Sequence, residues 1–363
     1  MKLFECRNCQ NLLYFENTSC EKCGLLTGYI PAQQSLSAVK PDGATWVALT
    51  DAGGRHQSQR YRFCANWELR ACNWLVDAVE DETYCVACRH NRTIPDVSSP
   101  ARHALWTKME TAKRRLFYAL IKLGLPLPKQ GGADAEPLVF EFLDDRPGKK
   151  VMTGHDNGVI TISLAEANDA DREKLRTGMN EPYRTLLGHF RHEVGHFYWD
   201  RLVRDDAVQL ASCRNLFGDE RVSYEDSLQR YYASGPPETW QETHVSAYAT
   251  MHPWEDFAET WAHYLHIVDT LEMAYAFGMT VRPRVESSSG VDAVIQRNPY
   301  RATSIEELMD NWLPITFAVN SLNRTMGQPD LYPFVVSRPV ARKLNYIRQL
   351  VCAAPETGRL VQP

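Results

Sequence analysis

The sequence predicts an α+β protein in which a cysteine-rich segment precedes a mostly helical domain with a small sheet. Three observations carry this. Eight of the ten cysteines lie within the first 88 residues. Apolar residues recur at helical spacing over long stretches beyond residue 100. Among them stand two runs rich in Val, Ile, Phe and Thr, PLVFEFLDD and NGVITISLAEA, which read as strands.

Composition bounds the function classes. The 363 residues are 44% hydrophobic and 23% charged, ordinary for a chain that buries a core. A net charge of -5 makes no electrostatic case for nucleic acid or for an anionic membrane. The opening MKLFECRNCQNLL has no apolar signal core, and no stretch is long and apolar enough to span a bilayer; a cytoplasmic protein is expected. In a reducing compartment, clustered thiols imply metal rather than disulfides.

Residues 1–95 form the cysteine-rich domain. Cys6-x2-Cys9 and Cys20-x2-Cys23 are two knuckles with ten residues between them. Four thiolates so spaced can surround one tetrahedral zinc, and such a closed site is structural. Gly24 suits the tight turn after the second knuckle. Iron in a rubredoxin-like cage is the alternative metal. A thioredoxin-type redox pair would need a βαβ pattern that is missing. Cys64, Cys72, Cys85 and Cys88 contain one CxxC. They form either a second structural zinc site or one exposed pair with two buried cysteines. Trp67 and Trp74 nearby read as core or as a peptide-binding surface. Cys213 and Cys352 stand alone and read as buried apolar residues or inert thiols. RHNRTIPDVSSP, with Pro95 and Pro100, reads as a linker.

Residues 96–363 form the second domain. ARHALWTKMETAKRRLFYALIKLGL is a helix by the spacing of Leu105, Met109, Ala112, Leu116 and Leu120, stopped by Gly124 and Pro126. The two strands follow, then ADREKLRTG as a short polar helix or turn. Asn180, Glu181 and Pro182 read as the start of a helix that carries HEVGH and runs to about Val203. The stretch from Tyr224 to Pro253 is irregular and aromatic. Pro253 opens another helix, capped beyond its end by Gly278. VRPRVESSSGVDAVIQRNPY is a loop, and the tail from Ile305 is mostly helical around GQPDLYPF.

HEVGH carries the chemistry. His192 and His196 are four residues apart, so a helix points both from one face, close enough to bind one metal. Glu193 projects beside that metal and can take a proton from bound water without being a ligand. Leu186, Leu187, Phe190, Val194 and Phe197 form the opposite, core-facing stripe. The bland reading is a chance match. His189 reads as a core or supporting histidine.

A catalytic zinc needs a third protein ligand and an open position. The pattern HExxHxxGxxH is excluded, because Trp199 and Leu202 stand where its Gly and third His belong. Asp200 shares the face of His196 and could be a ligand, but reads rather as a supporting or salt-bridging group. Glu255 and Glu259, in HPWEDFAETWAHYLH, are four apart on one helix face, while Phe257, Trp261, Leu265 and Val268 line an apolar one. One of the two acids can bind metal while the other orients a ligating His through its free ring N–H. The alternative is a solvated acidic face.

The 189–264 region resembles the gluzincin class of zinc peptidases, and EDFAE resembles the third-ligand segment of the anthrax lethal factor group. The resemblance implies Glu255 as ligand and Glu259 as the group that orients a ligating His. It also implies a tyrosine seven residues before the ligand, here Tyr248, donating a hydrogen bond to the developing oxyanion. The whole chain is similar to a bacterial family of zinc-binding metallopeptidases with an N-terminal zinc ribbon. The stretches that carry this are CRNC…CEKCG, CRHNRTIPD, AKRRLFYALIKLGLPLP, GVITISLAEA, EPYRTLLGHFRHEVGHFYWDRLV, SAYATMHPWEDFAETWAHYLH and DLYPF. They span nearly the full length and imply a zincin-like peptidase domain over 96–363 behind a zinc-ribbon domain over 1–95. In zinc peptidases of this class an edge strand before the zinc helix holds extended substrate by main-chain pairing. Val159, Ile160, Thr161, Ile162 and Ser163 are the expected edge, with an interior strand as the alternative.

The leading expectation is a zinc-dependent metallopeptidase, an endopeptidase rather than an exopeptidase, acting on a peptide or protein. It would hold one catalytic and one or two structural zinc ions. Glu193 would activate water and shuttle its proton, and Tyr248 would stabilise the oxyanion. The ribbon would recognise a protein partner or regulate the enzyme. The competing expectation is a catalytically idle zincin scaffold, acting as a zinc-ribbon binding or adaptor protein. The acidic balance opposes a ribbon that binds nucleic acid.

Overall fold

The computed structural model describes residues 2–49, 59–132, 136–145, 148–178, 181–285 and 290–354. They fall into two compact units, one reaching Asn168 and one spanning Asp169–Ala354. Helix and sheet are both present, and no helix among the described residues is long and apolar enough to cross a membrane.

In the first unit β1 (Phe4–Glu5) pairs with β2 (Leu12–Leu13). Next come β3 (Thr27–Ile30), β4 (Ser35–Asp42), β5 (Thr45–Ala48), β6 (Arg60–Phe63) and β7 (Leu75–Asp77), an antiparallel sheet in sequence order. Ile30, Val39, Ala48, Tyr61 and Leu75 form its buried cluster. The unit is completed by β8 (Asn91–Thr93), α1 (Pro100–Lys122), β9 (Val139–Leu143), β10 (Gly154–Asp156) and β11 (Val159–Ser163).

Two sequence expectations change here, and chain contacts group one helix apart from the sequence division. RHNRTIPDVSSP is not all linker, because its Asn91–Thr93 pairs in parallel with β9. The helix α1 does not open a separate compact unit. Its Tyr118 meets Phe15 at 5.3 Å and its Phe117 meets Phe140 at 5.9 Å, so it is core to the first unit. Chain contacts therefore divide at 168/169, whereas the sequence divides at 95/96. Finally, Val159–Ser163 is an interior strand. The sheet order is β10-β11-β9-β8, so β11 has a neighbour on each side. The cause is the pair Asn157-Gly158, with φ of 47° and 83°, a two-residue hairpin turn that folds β10 back along β11. The edge there is Gly154–Asp156.

The second unit is mostly helical. It holds α2 (Asp169–Gly178), α3 (Leu186–Trp199), α4 (Ala207–Phe217), α5 (Tyr224–Ser234), α6 (Pro253–Ala276), α7 (Ile305–Thr325) and α8 (Arg338–Ala353). The HEVGH helix, α3, starts later than expected: Thr185 Oγ1 accepts the Gly188 N–H at 3.0 Å and caps it at Leu186. Asn180 lies outside the described residues. A π-helical turn over Asp200–Arg204 ends α3, and Asp200 faces Arg204 at 3.4 Å. Phe190, Val194 and Phe197 are buried, but Leu186 and Leu187 are only half-buried. The stretch read as irregular contains α5. Ser223 caps it by accepting the Asp226 N–H, Glu225 and Asp226 occupy its first turn, and Gly235 at φ 69° ends it. The loop after α6 carries a short pair, β12 (Thr280–Val281) with β13 (Ala293–Val294); its residues 286–289 lie outside the described residues.

The core of this unit is the crossing of α3 and α6. A Cβ placed on Gly195 would stand 3.0 Å from the Ala258 Cα and 3.2 Å from the Trp261 Cβ, so any larger residue would push the two helices apart by a few tenths of an ångström. Tyr198 stacks on Trp261 with ring centres 4.9 Å apart. Arg191 and Asp269 form a buried ion pair between the same helices. Phe257, Ala258, Trp261, Leu265 and Val268 are fully buried.

The Gly195→Ala variant is expected to destabilise the second unit by about 2 kcal/mol through overpacking, lowering Tm by roughly 4–8 °C. Calorimetry of the metal-free protein checks this, and an unchanged Tm would contradict the close crossing.

Candidate metal centre

The helix α3 presents His192 and His196 one turn apart, their rings at 82° and their Nε2 atoms 3.2 Å apart. Glu255 stands in the first turn of α6, which begins at Pro253 behind a His252 cap. Its Oε2 lies 2.9 Å from His192 Nε2 and 3.5 Å from His196 Nε2. Ligand atoms about 2.0–2.1 Å from a tetrahedral centre stand about 3.3–3.4 Å from one another. The three separations of 2.9, 3.2 and 3.5 Å straddle that figure. Two imidazole nitrogens and one carboxylate oxygen, all from buried side chains, make a donor set that fits zinc.

The structure also separates the roles of the two acids. Glu259, one turn after Glu255, takes the other nitrogen of His192: Nδ1 donates to Glu259 Oε1 at 2.7 Å. That bond fixes the ring's orientation and turns Nε2, the nitrogen a metal would take, toward Glu255 and His196. Glu259 is held in turn by Ser246, whose Oγ donates to Oε2 at 2.5 Å. Ser246 Oγ also accepts the Ala249 N–H, pinning the turn that carries Tyr248.

Charge follows this geometry. Burial opposes ionisation of Glu255, yet His196 and His192 hold its carboxyl well below the usual range. Burial likewise opposes a charge on His192, but Glu255 and Glu259 lift it well above its ordinary value. Burial pushes His196 down. Glu259 falls to about 2, against its burial, through the His192 hydrogen bond. A metal-free centre thus attracts positive charge to the space between the imidazoles.

The remaining expected residues are also near. Glu193 is buried, and its charge acts on the Tyr224 phenol. Tyr248 sits 6.1 Å from His192, ring to ring, and burial together with the Glu255 charge pushes its phenol far above the ordinary value, keeping it a neutral donor. His189 is half-buried on α3.

Four contributors were not foreseen. Tyr224 donates from Oη to Glu255 Oε1 at 2.8 Å. Tyr231, two turns along α5, sets its ring against Tyr248 at 5.8 Å. Trp254 covers His196 at 3.7 Å. Ser246 supports Glu259. The readable signal for the first was Ser223 followed by two acids, a capped helix start.

Both cysteine sets also close. Cys6 and Cys23 are 3.8 Å apart at sulfur, Cys9 and Cys20 3.5 Å, and all four lie within 4.8 Å of one another. Gly24, at φ 72°, donates its N–H to the Cys20 carbonyl in the expected tight turn. Cys64, Cys72, Cys85 and Cys88 converge in the same way, with Cys72 and Cys85 at 3.8 Å. Thiolates about 2.3 Å from a tetrahedral centre stand about 3.8 Å apart. The second set is wholly buried, with the Glu110–Lys113 ion pair of α1 beside Cys88. Trp74 is core, and Trp67 is half-buried and stacked on Phe63. Cys213 is buried and Cys352 is exposed.

Comparison with known proteins follows the same residues. A family model described as "Putative zinc-binding metallo-peptidase" matches residues 102–350, and a zinc-ribbon domain model matches 3–99. Uncharacterized proteins of Mycobacterium bovis and of two strains of Mycobacterium tuberculosis are 39% identical over 354 residues, covering 97% of this chain and 95% of theirs. No solved structure matches.

Removing the Glu259 carboxylate, as in E259A, is expected to weaken zinc binding about 10–100-fold, or about 1.4–2.7 kcal/mol, because His192 loses its orienting partner. Chelator competition measures this, and unchanged affinity would contradict the arrangement. Replacing Cys6 with Cys9, or Cys72 with Cys85, by Ser should each remove one zinc per chain in elemental analysis; a set whose loss leaves the count unchanged holds none.

Proposed function

This chain belongs to the Putative zinc-binding metallo-peptidase family, and from that premise we propose that it hydrolyses peptide bonds at the centre between α3 and α6. The observation that carries the proposal is the convergence of His192, His196 and Glu255, with the buried Glu193 next to His192 in the chain. The likeness of EDFAE and of the Tyr248 offset to the lethal factor group supports a gluzincin-type endopeptidase.

His192, His196 and Glu255 would hold one zinc. When bound, that metal supplies Lewis acidity, making water acidic near neutral pH and polarising a carbonyl. Every other contribution is the chain's own. Glu193 takes the proton of the attacking water and returns it to the leaving amine. Tyr248, neutral and half-buried, donates its O–H to the oxyanion that develops on the carbonyl. Glu259 and Ser246 hold the His192 ring in place during the reaction. Trp254 covers the ring of His196.

The two cysteine sets would hold structural zinc, giving three ions per chain. Their reduced, metal-spaced sulfurs support a cytoplasmic location. The ribbon is the proposed surface for a protein partner, and the substrate is a peptide or protein.

The test is hydrolysis of a broad peptide library. Glu193→Gln is expected to lower kcat by about 10²–10⁴ while zinc content stays unchanged. Tyr248→Phe is expected to lower kcat about 10²–10³-fold with little change in KM. Turnover surviving E193Q would refute the mechanism, and a wild-type protein inert on every peptide would favour the idle scaffold.

A further inference from the structure

Glu255 divides its two carboxylate oxygens. Oε2 faces His192 and His196. Oε1 accepts from Tyr224 at 2.8 Å. A carboxylate can offer a metal one oxygen or both, and the choice sets how many positions remain for water and substrate. We propose that Tyr224 is a positioning residue for the metal centre: its hydroxyl engages Glu255 Oε1, so that Oε2 alone is presented to the ion. The inference rests on reading the centre as a metal site.

Tyr224 is brought there by a dedicated contact. The start of α6 and the approach to α5 are joined by His252, which donates from Nε2 to the Val222 carbonyl at 3.1 Å and accepts the Trp254 N–H on Nδ1 at 3.1 Å. The Tyr224 ring packs on His252 at 5.3 Å and edges against Trp254 at 6.3 Å. The segment that ends in the phenol and the segment that begins the ligand helix are thereby held in one register. Hydrogen bonds to a ligand's free atom restrict its rotation and raise affinity, and losing such a partner costs about 10–100-fold. Tyr224 is 39% exposed, so removing its hydroxyl deletes no buried apolar packing and takes from Glu255 only its hydrogen bond.

The test follows zinc lost from the loaded full-length protein into excess dipicolinate, counted by elemental analysis over time. The His192→Ala/His196→Ala double variant defines the zinc retained by the cysteine sites. Wild type should release one equivalent more than that variant releases. Tyr224→Phe is expected to release that equivalent about 10–100-fold faster. Tyr231→Phe, which removes a hydroxyl from the same helix without touching Glu255, should release it at the wild-type rate. Release from Y224F at the wild-type rate overturns the inference, and so does a loss of kcat in Y224F with zinc retention intact, which would mark a group acting on substrate or through Tyr248, with which its hydroxyl also bonds. If the double variant instead starts with as much zinc as wild type, the metal reading itself has failed.

Discussion

The close approach of α3 to α6 at Gly195 governs the second unit. At that point a Cβ on residue 195 would stand only 3.0 Å from the Ala258 Cα. Such proximity lets Glu255, at the start of α6, reach both histidines of α3, and Glu259 reach the far nitrogen of His192. On a wider crossing the two carboxylates could not stand 2.9 and 2.7 Å from His192 with one of them also 3.5 Å from His196. The Tyr198–Trp261 stack and the buried Arg191–Asp269 pair hold the same crossing on its other faces. The energetic logic is that of a packed core in which polar groups sit only where partners exist.

That partnering has a chemical consequence. Two carboxylates and two imidazoles in a buried space raise the positive charge the space attracts, so the pocket is electrostatically prepared for a cation before one arrives. The supports form a chain: Ser246 holds Glu259, Glu259 holds His192, and Tyr224 holds Glu255. Each removes a freedom that the ligands would otherwise lose on binding. Tyr248, a neutral phenol, lies 6.1 Å from His192 ring to ring, and the buried Glu193 follows His192 in the chain. In the proposed reaction they would supply the neutral donor and the base that amide hydrolysis needs beside a Lewis acid.

Much of this was legible from sequence because it depends on spacing along helices. His192 and His196 at four residues, Glu255 and Glu259 at four, and the apolar stripe of Phe257, Trp261, Leu265 and Val268 all follow from one period. The paired CxxC knuckles were legible for the same reason. What was missed depends on weak or nonlocal signals. The helix α5 has no apolar stripe, since Ser227 is its sole buried residue, so its cap and its contacts to Glu255 and Tyr248 define it. The strand Val159–Ser163 reads the same at an edge or inside; the decisive feature was the Asn157-Gly158 turn just before it. The helix α1 reads as amphipathic, but nothing local says which unit its Tyr118 and Phe117 will pack into.

The cysteine-rich unit obeys a different constraint. Its short strands and small buried cluster are typical of chain segments that rely on a cross-link, and the sulfurs sit at metal rather than disulfide spacing. The central claim concerns the other unit, and diffraction at the zinc absorption edge from crystals of the zinc-loaded protein tests it most directly. An anomalous peak about 2.0–2.2 Å from His192 Nε2, His196 Nε2 and Glu255 Oε2 is the expected result. Zinc-loaded crystals with peaks at the cysteines and none between α3 and α6, or a peak ligated by Glu259 in place of Glu255, would contradict it.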